Sequence, residues 1–394
     1  MIFTMENRER SIVFVNQATG YLTIDIINEF VKPGYFKNVA LIAGSIRVQD
    51  IPISTTVHWS KVILYNRGNP TKKFFSWLVG TSQIGWLLLT KYRKYEIFYI
   101  TIPPFAYLLS LVLGNRFSIL IFDVYPNVLN IYNISERNLI YKLWVRWNKN
   151  LFNRAHCLFT LGESMSKLLS QYVDQSKIKI IHNWSGLTNV RAIPKEQNSF
   201  LKAHHLEQKF VVQYSGNIGY THNVEILIEI AKLMSEENDI FFLIIGRGEK
   251  FNDINRQLAN EKLANCKLVP FQPDDRLNDS LSAADLGVVL LDDKTAHASI
   301  PSKIYNLQVV GIPILGIAAS DSELAKHLDR YRSGKCFSQN DKQAIVAYII
   351  ELKRSNEKLR VLQQNARAAS AFFTNLNASK YLESYVQKMD EEIN

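Results

Sequence analysis

Short apolar runs of five to seven residues alternate with longer stretches of helical period along most of the chain, and the alternation starts over once. Runs that are apolar throughout read as strands buried on both faces, which is the signature of parallel sheets wrapped by helices. In the first series the strand candidates are 11–15, 39–42, 62–65, 97–100, 118–122, 157–160 and 178–181. The second series is 210–214, 240–245, 267–270, 286–290 and 313–316, with a weaker candidate near Cys336. The restart predicts an α/β chain of two Rossmann-like, doubly wound parallel-sheet domains. Between the series, 183–209 is rich in Asn, Ser, Pro, Lys and His, so a linker is expected near 184–200. The expected domains are 1–190 and 200–374. The helical stretch from Lys342 breaks near Thr374-Asn375, and such a break lets a last helix at 375–394 cross back to the first domain.

A length of 394 residues suits two cores, and 47% apolar with 21% charged residues is a globular balance. The three cysteines, Cys157, Cys266 and Cys336, are far apart with no CxxC or Cys/His cluster, so neither a disulfide framework nor a structural zinc site is expected. A reducing cytoplasm fits. The first ten residues are polar and charged, unlike a secretory signal. The apolar region 100–125 is interrupted by Pro103-Pro104, Gly114-Asn115-Arg116 and Asp123, and falls short of the roughly 20 apolar residues that a spanning helix needs.

The net charge of +10 is unevenly spread: residues 1–185 hold 21 Lys and Arg against 10 Asp and Glu, and the remainder 25 against 26. That asymmetry suggests an anionic surface as partner for the first half. Two stretches favour lipid over nucleic acid. One is Lys72-Lys73-Phe74-Phe75-Ser76-Trp77 with the later Lys91-Tyr92-Arg93-Lys94-Tyr95. The other, 141–154, spaces Lys142, Arg146, Lys149 and Arg154 beside Trp144 and Trp147, as an interfacial helix would. A solvated basic face with core tryptophans behind it is the alternative. No nucleic-acid recognition motif accompanies these residues.

Several turns are placed to carry chemistry. Tyr214-Ser215-Gly216-Asn217-Ile218-Gly219-Tyr220-Thr221-His222-Asn223 joins a strand to a helix. Glycines at such a turn let backbone N–H groups approach a phosphate, and the helix start adds partial positive charge. A tight turn without a ligand is the alternative. Gly246-Arg247-Gly248-Glu249 closes the next strand, where Arg247 is free to pair with phosphate oxygens or to be a plain surface arginine. Ala298-Ser299-Ile300-Pro301-Ser302-Lys303-Ile304-Tyr305-Asn306 supplies an expected N-cap hydroxyl and a lysine at a helix start. In the first half, Thr19 is a candidate helix cap and Gly20 a point of close backbone approach to a ligand, though a capped turn alone accounts for both. Asp123 ends an apolar strand, where a buried carboxylate is costly unless paired or used. Glu163 has a weaker case, as it starts a helix.

The order of these segments resembles the family-4 glycosyltransferases of GT-B fold, in particular the bacterial surface-polysaccharide branch. The resemblance rests on Thr101-Ile102-Pro103-Pro104, Phe122-Asp123-Val124-Tyr125-Pro126, His182-Asn183-Trp184, Ser215 to Asn223, Gly246-Arg247-Gly248, Ser282-Ala283-Ala284-Asp285-Leu286, Pro301-Ser302-Lys303 and Gly311-Ile312-Pro313. It covers nearly the whole chain. It implies two domains facing a central cleft, with a nucleotide-diphosphate sugar held mainly by the second and an acceptor by the first. It also implies transfer with retention of configuration and no metal ion or other cofactor. The sequence departs from the family at three places. Asn306 stands where relatives commonly carry a ribose-binding glutamate, and about Ala298 where they carry its partner seven residues earlier. His222 and Asn223 occupy the stretch where a basic residue is usual. A histidine after the fourth strand is replaced near Thr101.

The expected enzyme is thus a retaining, hexosyltransferase-like glycosyltransferase of cell-surface polysaccharide synthesis, acting on a lipid-linked or saccharide acceptor. It would sit in the cytoplasm against the inner face of the cell membrane. Asp123 and Thr101 are the expected catalytic-side residues. Gly20, Gly216, Asn217, Gly219, His222, Arg247, Gly248, Ser302, Lys303 and Asn306 are expected to bind the donor. The missing glutamates motivate a competing reading, a non-catalytic GT-B subunit that supports a partner transferase; a sugar-nucleotide epimerase on the same architecture is a further one.

Overall fold

The computed structural model describes residues 10–66, 70–132, 136–187, 190–219, 222–292 and 301–393. Contacts divide the chain into two units, Met1–Gly186 with Asn375–Asn394, and Leu187–Thr374. The expected non-secretory start, 1–9, and Tyr220, Thr221 and Ala298 to Ile300 of the two expected binding turns lie outside the described residues.

The first unit contains strands β1 (Ser11–Val15), β2 (Ala18–Thr19), β3 (Asn38–Ala43), β4 (Ser45–Ile46), β5 (His58–Lys61), β6 (Glu96–Ile100), β7 (Phe117–Leu120), β8 (Leu158–Thr160) and β9 (Ile178–Ile180). Among the described residues, seven of them form one parallel sheet in the order β5-β3-β1-β6-β7-β8-β9, and β2 pairs with β4. Helices α1 (Tyr21–Phe30), α2 (Pro70–Leu89), α3 (Leu139–Arg154) and α4 (Glu163–Leu169) connect them. The second unit contains β10 (Phe210–Asn217), β11 (Ile240–Arg247), β12 (Cys266–Pro270), β13 (Leu286–Leu290), β14 (Ile314–Ile317) and β15 (Gly334–Phe337), all parallel, in the order β12-β11-β10-β13-β14-β15. Its helices are α5 (Ser199–His204), α6 (Glu225–Leu233), α7 (Phe251–Glu261), α8 (Leu277–Leu281), α9 (Lys303–Val310), α10 (Glu323–Tyr331), α11 (Lys342–Arg354) and α12 (Asn356–Ser370); α13 (Ser379–Ile393) belongs to the first unit.

Strand order reverses between β1 and β6 in one sheet and between β10 and β13 in the other. In open α/β sheets such reversals open a crevice at the carboxyl ends of the strands, which is where ligands bind. The central strands are apolar because both faces are covered: Val13, Phe14, Ile97, Phe98, Leu243 and Ile244 have no exposed surface.

Two local expectations are corrected. A strand was expected at 62–65, but His58–Lys61 makes the pairing with Ala40–Ala43, and Ile63 and Leu64 are exposed. An edge strand with one buried residue, Ser60, carries no apolar run, so the pattern points to the apolar residues beside it. The beginning of the expected linker is core. Trp184 is fully buried, its Nε1 donates to Asp25 Oδ2 at 2.8 Å, and Tyr21 Oη donates to its carbonyl at 2.9 Å.

The last helix completes the first core. Tyr381 and Tyr385 of α13 have no exposed surface. Tyr385 meets Phe30 edge-on at 5.5 Å between ring centroids, and Tyr381 lies 4.9 Å from Phe159 and 6.4 Å from Trp184.

Candidate functional site

The second unit gathers most of the expected donor residues at its strand reversal. β10 continues through Gly216 and Asn217, which pair with Gly246 and Arg247 of β11. The Ile218 amide donates to the Arg247 carbonyl at 2.8 Å, and the Lys250 amide to the Ile218 carbonyl at 3.0 Å. The two glycine turns are therefore fastened together as one surface. Gly248 has φ +149°, and a Cβ there would stand 2.5 Å from the Ile218 carbonyl oxygen, so a side chain fits neither the backbone nor the space. Asn217 and Gly219 lie side by side: a Cβ at Gly219 would be 2.7 Å from Asn217 Nδ2.

Lys303, the first residue of α9, extends across this surface. Its Nζ lies 3.8 Å from the centroid of the Tyr214 ring, and a Cβ on Gly216 would approach that Nζ to 2.6 Å. The ammonium is buried and has no hydrogen-bond partner among the described residues. Loss of hydration pushes its pKa down from 10.5 to about 7. A cation held over an aromatic face, with no counter-charge paired to it among the described residues and a glycine backbone beside it, is arranged to receive an anion. His222 belongs to the same environment. Burial first, then Lys303, lower its imidazole to about 4, with Lys250 acting the same way and Asp292 opposing. His222 is therefore neutral at pH 7.

The other expected donor residues are placed differently. Arg247 is exposed, with its guanidinium 4.6 Å from the centroid of the Phe271 ring. Ser302 stands before α9 with helical backbone angles and makes no side-chain cap bond, so the expected capping role is corrected. Asn306 lies three residues beyond Lys303 on α9 and is half-buried.

Gly20, Thr101 and Asp123 belong to the first unit, at the carboxyl ends of its strands. Gly20 itself precedes α1 and caps it without a side chain, with open space where a Cβ would be. Thr19 is not the cap: its hydroxyl donates to the Asn16 carbonyl at 3.0 Å, and its backbone pairs in β2. Thr101 is buried, and its Oγ1 accepts the Phe122 amide at 3.1 Å, which steadies the segment that carries Asp123. Burial raises the Asp123 carboxyl above the usual carboxylate range, with Lys73 opposing. Glu163 is exposed in the first turn of α4.

Sequence reading missed two contributors. Tyr214 looks like an ordinary strand residue, yet its ring is the platform under Lys303. Gln17 is fully buried; its Nε2 donates to the Ile63 carbonyl at 3.0 Å and the Ser76 carbonyl at 2.8 Å, while its amide donates to Ile102 at 2.6 Å. Gln17 thus ties the β1 loop to α2 and to the loop after β6. A polar residue directly after a buried strand was the available signal.

The basic and aromatic stretches of the first unit are helical surface only in part. Trp144 turns inward, 4% exposed, with Nε1 donating to Tyr107 Oη at 2.8 Å, so on α3 the core-tryptophan alternative holds for it. On α2 the reverse is true: Phe75, Leu78, Val79, Trp86 and Leu89 recur at helical spacing and are exposed, Phe75 by 64% and Trp86 by 70%. Among the described residues no helix is long and apolar enough to cross a membrane.

Two parallel doubly wound sheets, each reversing beside a polar turn, define the GT-B fold of glycosyltransferases. The structure of HepE from Anabaena, solved with UDP and glucose, matches 96% of this chain and 100% of its own with a TM-score of 0.70 at 14% identity. Residues 196–369, within the second unit, match the family described as Glycosyl transferases group 1. The chain is 25% identical to the probable glycosyltransferase WbjE of Pseudomonas aeruginosa over 62% of each protein. It is 26% identical to the putative colanic acid biosynthesis glycosyl transferase WcaI of Escherichia coli (strain K12) over 48% of this chain and 47% of that one. Each of these matches therefore spans less than two thirds of the relative's length.

Proposed function

We propose that the chain is a retaining glycosyltransferase of cell-surface polysaccharide synthesis, which moves a hexose-type sugar from a nucleotide-diphosphate donor to a lipid-linked or saccharide acceptor. The carrying observation is the buried Lys303 ammonium beside Gly216, with no partner among the described residues. A diphosphate is the anion that fits a lysine, two glycine turns and a helix start together. In this reading Lys303, Arg247 and the backbone N–H groups of the Gly216–Gly219 and Gly246–Gly248 turns hold the leaving diphosphate without a metal ion or other cofactor. His222, neutral at pH 7, offers a hydrogen bond rather than a charge, and Asn306 takes the ribose. Asp123, positioned through Thr101, holds the acceptor hydroxyl, and Gly20 leaves room for the sugar.

Membrane contact is part of the proposal. The exposed apolar stripe on α2, flanked by Lys72, Lys73, Lys91 and Lys94, has the composition of a surface that enters an anionic lipid interface. The second reading, a non-catalytic subunit that supports a partner transferase, is favoured by Asn306, which lacks the charge of the usual ribose-binding glutamate.

Thermal shift against a panel of nucleotide sugars is the test. A donor at one hundred times its dissociation constant should stabilise the protein by about 2.7 kcal/mol. Lys303→Met should weaken that donor about ten- to a hundredfold, the loss of one hydrogen bond to a charged group, about 1.5–3 kcal/mol. Unchanged donor affinity in Lys303→Met would reject the site. Tight donor binding with neither transfer nor hydrolysis by the purified chain would favour the non-catalytic reading.

A further inference from the structure

At the amino-terminal ends of β7, β8 and β9 the first unit opens a cavity of about 580 Å³, at the other end of the sheet from Asp123 and Thr101. Five cations line it: Arg116 before β7, Arg154 at the end of α3, Lys177 and Lys179 around the start of β9, and Lys388 on α13. Among the described residues that line it, two carboxylates, Glu391 and Glu392, oppose them, an excess of three positive charges, and Asp174, outside the lining, acts on Lys177.

The floor already receives an anion from the chain itself. Glu392 places Oε1 3.0 Å from His156 Nδ1 and Oε2 3.2 Å from Arg116 Nη2. Lys388 is matched by Glu391 at 3.3 Å. Arg154, Lys177 and Lys179 make no ion pair among the described residues. Arg154 donates to Asn150 Oδ1 at 3.2 Å with its guanidinium 6.0 Å from the Phe117 centroid, and Lys177 reaches the Asn153 carbonyl and Oδ1 at 3.4 Å. Lys179 acts on the Cys157 thiol at the cavity wall against the larger effect of burial, so its charge is felt inside. Like charges gathered from four elements around one concavity repel each other, and a bound dianion relieves that repulsion.

We propose that this cavity is a second anion site, which binds a phosphate-bearing ligand through Arg154, Lys177 and Lys179. Its volume falls within the roughly 300–1,000 Å³ of small-molecule pockets, enough for a sugar phosphate or a lipid headgroup. The site is independent of the donor reading, because it shares no residue with it.

The test is titration calorimetry with inorganic pyrophosphate at low ionic strength, in a Lys303→Met background that removes the candidate donor cation. Adding R154A and K179A should weaken binding at least tenfold, while the charge-conserving pair R154K and K179R should restore most of it. Adding K326A and R330A removes the same charge from α10 and should leave binding unchanged. Equal weakening by both alanine pairs, or none by R154A and K179A, overturns the proposal. Loss confined to Lys303→Met itself also overturns it while supporting the donor site. Flotation with phosphatidic acid vesicles then separates the sources: pyrophosphate weakens it if a lipid headgroup is the ligand, and leaves it unchanged, held by α2, if the ligand is a soluble phosphate.

Discussion

The proposed site role of Lys303 comes with a stability cost. Its ammonium titrates near 7 in the folded chain against an ordinary value of 10.5, so between these pH values the unfolded chain binds more protons than the folded one. Folding stability contributed by this group therefore rises as pH increases from about 7 to about 10.5, and below 7 the full cost of burying a charge is present. In the proposed complex a bound diphosphate would raise the lysine's pKa again. Donor affinity should accordingly be flat below about pH 7 and fall above it by up to about tenfold per unit. His222 contributes nothing to this profile, because it stays neutral above about 4. Calorimetric dissociation constants from pH 6 to 9 check this, with Lys303→Met expected to give a flat line and a higher melting temperature than the wild type. At this scale the sequence shows which residues stand at turns, since glycine after a strand and lysine at a helix start are local signals. It does not show that Tyr214 faces Lys303, or that the Ser302 hydroxyl leaves the helix uncapped. Those depend on two segments almost ninety residues apart meeting.

Among the elements, α2 exposes a run of apolar side chains that the fold does not account for. A helix in a water-facing position normally turns its apolar side chains to the core. Here Ser76, Gly80, Ile84 and Leu88 face inward, the first two against Gln17, while the aromatic and aliphatic residues at 75, 78, 79, 86 and 89 face out. Replacing Phe75, Trp86 and Leu89 with serine should abolish flotation with vesicles containing anionic lipid and leave the melting temperature within a few degrees, since little buried surface is lost. Binding of the wild type should also weaken as salt is raised. Retained flotation by the triple variant would show that α2 is not the lipid contact. Helix α3 had the same basic and aromatic composition in the sequence. Its asparagine at 148 and tryptophan at 144 are drawn inward by Tyr107, a hydrogen-bond network that composition cannot reveal.

For the molecule as a whole, the last helix matters more than its position suggests. Tyr385 is fully buried, donates to Glu96 and touches Phe30, while Tyr381 fills the space between Phe159 and Trp184. Tyr385→Ala should therefore cost about 3–5 kcal/mol, as for other large aromatic deletions in a core. Urea unfolding followed by the fluorescence of Trp184 and its neighbours would measure it; a loss below 1 kcal/mol would mean that α13 is a surface appendage.

The pattern of apolar runs carries both series of buried strands, apart from the polar edge strand β5. A strand covered on both faces must be apolar along its length, and that pattern is written locally. The turns at the strand ends were visible for the same reason. Which side chains meet across those turns, which helix leaves apolar residues exposed, and that Trp184 is core rather than linker emerge from the folded chain alone. Those outcomes depend on desolvation and on contacts between distant segments, and no local window of residues contains both partners.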